Sequence, residues 1–141
     1  MNVRPLDPEE REHFDQLLEQ VLDTLPQHIH KHIEEVPLIV EDHPGDDVVE
    51  MFDLRDPDEL CGLHDGIPLT ERSVSGGDVS LPDHIMIYRR GIIATAASAG
   101  LDRYGYVDDD ELRRQIRITV LHEIGHHFGL DEDELARLGY G

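Results

Sequence analysis

The chain has 141 residues, 12 basic and 32 acidic, and a formal charge of −20 at pH 7. That length fits one domain around one hydrophobic core. The charge repels phosphate backbones and anionic lipid, so nucleic-acid and membrane-surface partners are not expected, whereas cationic ligands such as metal ions are tolerated.

An apolar fraction of 38% lies above the disordered class. Cys61 is the single cysteine, which rules out an intrachain disulfide and a cysteine-rich zinc finger. The first twelve residues lack the pattern of a secretory leader, and no run approaches the ~20 apolar residues of a membrane span, so a cytoplasmic location is expected. Ten histidines are an excess that calls for a chemical explanation.

Residues 1–6 read as a flexible tail and 7–141 as the domain. Asp7-Pro8-Glu9-Glu10 is a helix start, with Asp in the cap, Pro at the first position and acids in the first turn. Phe14, Leu17, Leu18, Val21, Leu22 and Leu25 follow at helical spacing, and Pro26 ends the run. A second helical turn is predicted over Gln27 to Glu34. It carries His28, His30 and His32, which read as a polar face.

Val36 to Val40 is rich in β-branched residues and predicts a strand. His43-Pro44-Gly45-Asp46 predicts a turn. Val48 to Leu54 fits a strand or a short helix. Leu60 to Gly66 contains two glycines and predicts a sharp turn, and Glu71 to Asp83 predicts a loop. His84 to Tyr88 (HIMIY) predicts a core strand, with an alternative role as an edge strand that pairs with an extended peptide. Gly91 to Ala99 predicts a helix.

The strongest helix signal comes last. Asp108 with Glu111 resembles a capping box, acids fill the first turn, and Asp109–Arg113 and Asp110–Arg114 have i,i+4 spacing. This helix is expected to run to about Phe128 and to stop at Gly129. Asp131 to Leu138 predicts a further short helix.

On that helix lies His122-Glu123-Ile124-Gly125-His126, an HExxH string. At 100° per residue, His126 sits about 40° around the axis from His122 and one turn along, so both imidazoles reach one metal ion. Glu123 lies ~100° to the side, where a carboxylate can take a proton from a metal-activated water. Leu121, Ile124 and Phe128 fall on the opposite arc and predict the buried face.

Gly129 can fold the chain back through a positive φ, and Glu132 then stands where a third ligand is needed. Asp131 and Asp133 flank it and remain alternatives. Two histidines, a carboxylate and water form a catalytic zinc set with one open position. His127 lies ~100° beyond His126 and is expected to support or surround the site rather than ligate. Cys61 reads as a small core residue.

Three segments, HEIGHHFGLDE at 122–132, LPDHIMIYR at 81–89 and LCGLHDGIPLTERS at 60–73, make the chain resemble the bacterial minimal zincin-like metallopeptidases. The resemblance covers most of the chain. It implies an α+β fold: one compact minimal zincin-like domain, with a small mixed β-sheet packed with helices and the HExxH helix beneath the sheet. It also implies a cleft between that helix and an edge strand.

The implied cofactor is one Zn²⁺ ion, held by His122 and His126. Glu123 is the implied general base, the acidic third ligand falls on Glu132, and the implied substrates are peptides or proteins. His64 stands where the family often has Tyr. The competing expectation is a non-catalytic domain in which zinc staples the C-terminal segment to the core.

Overall fold

In the computed structural model, which describes residues 6–65, 84–127 and 133, Asp7 caps the first helix, α1 (Pro8–Thr24). The Asp7 carboxylate accepts from the Glu10 amide at 2.9 Å, and the Glu10 carboxylate accepts from the Asp7 amide at 3.5 Å. This reciprocal cap satisfies two otherwise orphaned helix-end donors. Phe14, Leu17, Leu18 and Val21 are buried along one face of α1, and Leu6 before it is buried as well. Beyond Pro26, α2 (Gln27–Glu35) carries the alternating histidines on a helix.

Strand β1 (Leu38–Glu41) starts two residues later than Val36. Pro37 has no N–H to give to a ladder, although its carbonyl accepts from the Ile85 amide at 2.9 Å. The ambiguous stretch after the turn is helical at its start, as α3 (Asp46–Met51), where Asp46 and Asp47 complement the dipole of the first turn.

A 3₁₀ turn at Pro57–Glu59 leads into β2 (Gly62–Asp65), where the sequence predicts a sharp turn. Over the described part, 60–65, the expectation fails because Gly62 serves close packing rather than reversal of the chain; Gly66 lies outside the described residues. The predicted loop over 71–83 lies outside the described residues.

Strand β3 (His84–Tyr88) matches its expected bounds. It is the central strand, parallel to β1 and antiparallel to β2, in the order β1-β3-β2. Both of its ladder sides are therefore occupied, and the edge-strand reading of HIMIY is overturned. Among the described residues the edges are β1 and β2. Alternation places Ile85 and Ile87, with Leu38 and Val40, on the core side, while Ile39 stays exposed.

Helix α4 (Arg89–Ser98) begins two residues before its predicted start. Cationic residues in a first turn oppose the helix dipole, and here carboxylates from other elements offset them. Arg89 donates to Asp15 at 2.9 and 3.0 Å and to Asp42 at 2.8 Å, and Arg90 donates to Asp58 at 3.0 and 3.2 Å.

Helix α5 (Asp109–His127) packs against α1, α4, β2 and β3. Leu112, Ile116, Val120, Leu121 and Ile124 bury its apolar arc in the core with α1 and α4. The anticipated i,i+4 ion pairs are replaced by i,i+3 pairs, Asp110–Arg113 at 2.8 Å and Glu111–Arg114 at 3.1 Å. Asp109 instead meets His13 of α1 at 2.9 Å, because the two helices lie side by side. The result is an α+β domain with a small mixed sheet covered by helices. Among the described residues no helix is long and apolar enough to cross a membrane.

Candidate metal centre

Helix α5 carries the site at its C-terminal end. Asp108 accepts from the Glu111 amide at 3.1 Å and caps the helix start. From there the apolar arc locks the rotation of α5 against the core, which decides where every later residue points. His122 and His126 emerge half-buried beside that arc, and Glu123 is only 7% exposed.

The imidazoles of His122 and His126 converge. Their Nε2 atoms are 3.0 Å apart, and the rings meet edge to face with centroids 4.6 Å apart. The Glu123 carboxylate joins them, with donor atoms of all three residues within 4.8 Å of one another. Two nitrogens bound at 2.0–2.1 Å to a tetrahedral ion lie about 3.3 Å apart, so the histidine pair fits zinc with little adjustment.

Strand β2 contributes to the burial of Glu123. Gly62 pairs with Ile87 across the sheet and turns its bare Cα toward α5. A Cβ placed there would lie 2.9 Å from Thr119 Cγ2, 3.0 Å from the Met86 carbonyl oxygen and 3.2 Å from Glu123 Cγ. The preceding residue, Cys61, is held between this contact and α4. Thr95 donates its hydroxyl proton to the Gly91 carbonyl at 2.9 Å, so it is left to accept from the Cys61 thiol at 3.2 Å. Burial raises the Cys61 pKa above its ordinary 9.0; the bond to Thr95 works the other way, and the nearby Glu123 charge adds to the rise.

Three expected residues thus come together, His122, Glu123 and His126. Asp133 is exposed and is not gathered with them. Glu132 and Asp131 lie outside the described residues, as do Phe128 and Gly129. His127 is buried and is not part of the donor cluster. The close approach of Gly62 and Thr119 to Glu123 was not anticipated. Its only trace in sequence is the i,i+4 spacing of Thr119 and Glu123, since Gly62 is remote along the chain.

A concavity of about 710 Å³ is lined by Arg11, Asp42, His43, Leu63, Met86 and Arg89 among others, and includes no residue of α5. It is separate from the donor cluster.

In comparison with known families, the model of the zincin-like metallopeptidases matches residues 33–141. That span covers more than half of the chain and contains β1, β2, β3, α4 and the donor helix. A search of curated proteins gives no match.

Proposed function

The chain belongs to the zincin-like metallopeptidase family, and on that premise we propose that it hydrolyses peptide bonds at a single zinc ion held by His122, His126 and Glu132. The observation that carries this reading is the convergence of two imidazole nitrogens, 3.0 Å apart, beside a buried carboxylate. Zinc bound there supplies Lewis acidity, polarising the scissile carbonyl and lowering the pKa of a water toward ~7.

Glu123 is the general base. Its carboxylate takes a proton from the attacking water as the new C–O bond forms. It then delivers that proton to the amide nitrogen as the C–N bond breaks, so that the amine leaves neutral. Glu123 is buried, with Gly62 of β2 close against its stem. Peptides and proteins are the substrates, with the strongly negative chain weakly favouring basic ones.

In the rival reading zinc serves only to staple the fold. Five buried apolar residues hold α5 in the core without help from its donors, so a staple would act on the segment that follows α5 rather than on the helix itself. The test is metal analysis followed by digestion of a peptide library. Wild type should carry one zinc and cleave. Glu123→Gln should keep zinc and lose about 10²- to 10⁴-fold in turnover. His122→Ala should lose the metal. Equal turnover by zinc-loaded Glu123→Gln, or no cleavage by fully loaded wild type, overturns the reading.

A further inference from the structure

We propose that Gly62 is a positioning residue for Glu123: the absence of a side chain at 62 lets β2 lie against the Glu123 stem and hold its carboxylate beside the His122–His126 pair. The inference rests on Glu123 being the general base. It concerns a residue on another element, 61 positions away in sequence.

The geometry leaves little freedom around Gly62. Carbon atoms pack best at about 3.5–4.0 Å, so a Cβ that would stand 2.9 Å from Thr119 Cγ2 and 3.2 Å from Glu123 Cγ cannot be accommodated in place. Thr119 cannot easily turn aside, because its hydroxyl donates to the Gln115 carbonyl at 2.8 Å. The Met86 carbonyl, 3.0 Å from the same Cβ position, belongs to the central strand, which is held on both sides. The strand cannot retreat toward α4 either, since a Cβ on Gly91 would already stand 2.1 Å from the Leu60 carbonyl oxygen.

Segment 60–62 is therefore wedged between a glycine of α4 and the Thr119–Glu123 face of α5. Any side chain at 62 must displace the Glu123 stem or lift the strand from it. Either movement shifts the carboxylate by a few tenths of an ångström. Misplacement by about 1 Å in a reacting constellation costs about 10²-fold in rate.

The experiment compares wild type, Gly62→Ala, Gly62→Ala with Thr119→Ser, and Leu17→Ala as a variant destabilised in the core from α1. Zinc content, kcat and KM are measured, and the nuclear Overhauser effect between Gly62 Hα and Glu123 Hγ is recorded on metal-free wild type. Gly62→Ala should retain one zinc and lose about 5- to 10-fold in kcat, because the shift is a few tenths of the ~1 Å that costs about 10²-fold, with KM within about 3-fold. Thr119→Ser removes the methyl at 2.9 Å and should restore at least about half of the lost kcat. The Overhauser contact should be present.

The proposal is overturned if kcat per zinc-loaded molecule is unchanged in Gly62→Ala, if it falls no further than in Leu17→Ala, or if the contact is absent. Should Gly62→Ala fail to fold, the wild-type contact still decides. A wild type that binds zinc and cleaves nothing removes the peptidase reading, whereas the contact then supports or refutes the positioning by itself.

Discussion

Replacing Asp42 by Asn tests whether the joint between α1, the end of β1 and α4 is held by charge. The Asp42 carboxylate accepts three hydrogen bonds: from Arg89 Nη1 at 2.8 Å, from Arg11 Nε at 3.2 Å and from Arg11 Nη2 at 2.7 Å. Asn preserves the shape but turns one acceptor into a donor that faces a guanidinium. The Arg11 side chain is 42% exposed, so solvent screens its share. The Arg89–Asp42 pair, each side chain 11% exposed, is the part that counts.

A hydrogen bond between charged groups contributes about 1.5–3 kcal/mol when it is this well shielded. For a domain of this size that corresponds to roughly 6–12 °C in Tm. The pH dependence has a definite sign. Desolvation pushes the Asp42 pKa up, but the bonds and charges of Arg11 and Arg89 outweigh it and hold the pKa below the ordinary 3.8. A carboxylate depressed in the folded state stabilises above its unfolded pKa and loses that contribution as pH falls through its folded pKa.

The gap between wild type and Asp42→Asn should therefore be constant above about pH 5 and shrink from about pH 4 downward. Thermal unfolding followed by circular dichroism at a series of pH values measures it. A variant within about 1 °C of wild type at pH 7, or a gap that does not narrow in acid, refutes the reasoning.

Three further outcomes follow from other contacts. Gly91→Ala should lower stability by about 3 kcal/mol, the upper end of the overpacking range, because the obstacle is the Leu60 backbone rather than a movable side chain; the urea midpoint reports it. The Cys61 thiol, its pKa raised by burial, should react with a disulfide reagent at pH 8 far more slowly than free cysteine and reach that rate only in denaturant. Chelation should abolish cleavage while the far-ultraviolet helix signal persists at 25 °C, since Leu112, Ile116, Val120, Leu121 and Ile124 hold α5 in place; collapse of that signal would favour the stapling role.

The parts of the molecule that could be read from sequence are those specified by neighbours along the chain. The Asp7 cap, the apolar face of α1, the strand at 84–88 and the His122–His126 pair all arise from spacings of one to four residues. What stayed hidden depends on elements meeting. Alternation in HIMIY is the same for an edge and a central strand, and only pairing with both β1 and β2 distinguishes them. Glycines at 62 and 66 look like a turn, although Gly62 answers to Thr119 and Glu123 across the fold. Arg89 at a helix start looks unfavourable until Asp15 and Asp42 arrive from α1 and the end of β1.

The helix that presents the donors is also the central beam of the core, with Ile116 and Val120 wholly inaccessible to solvent. Unwinding it locally would expose that core, so its amides over 112–124 should exchange with deuterium only through opening of the whole domain. The histidine pair inherits that protection. A zinc ion bound there as proposed should leave by ligand substitution from solvent rather than by fraying of the helix, and its off-rate should follow competing chelators in solution more closely than the stability of the fold.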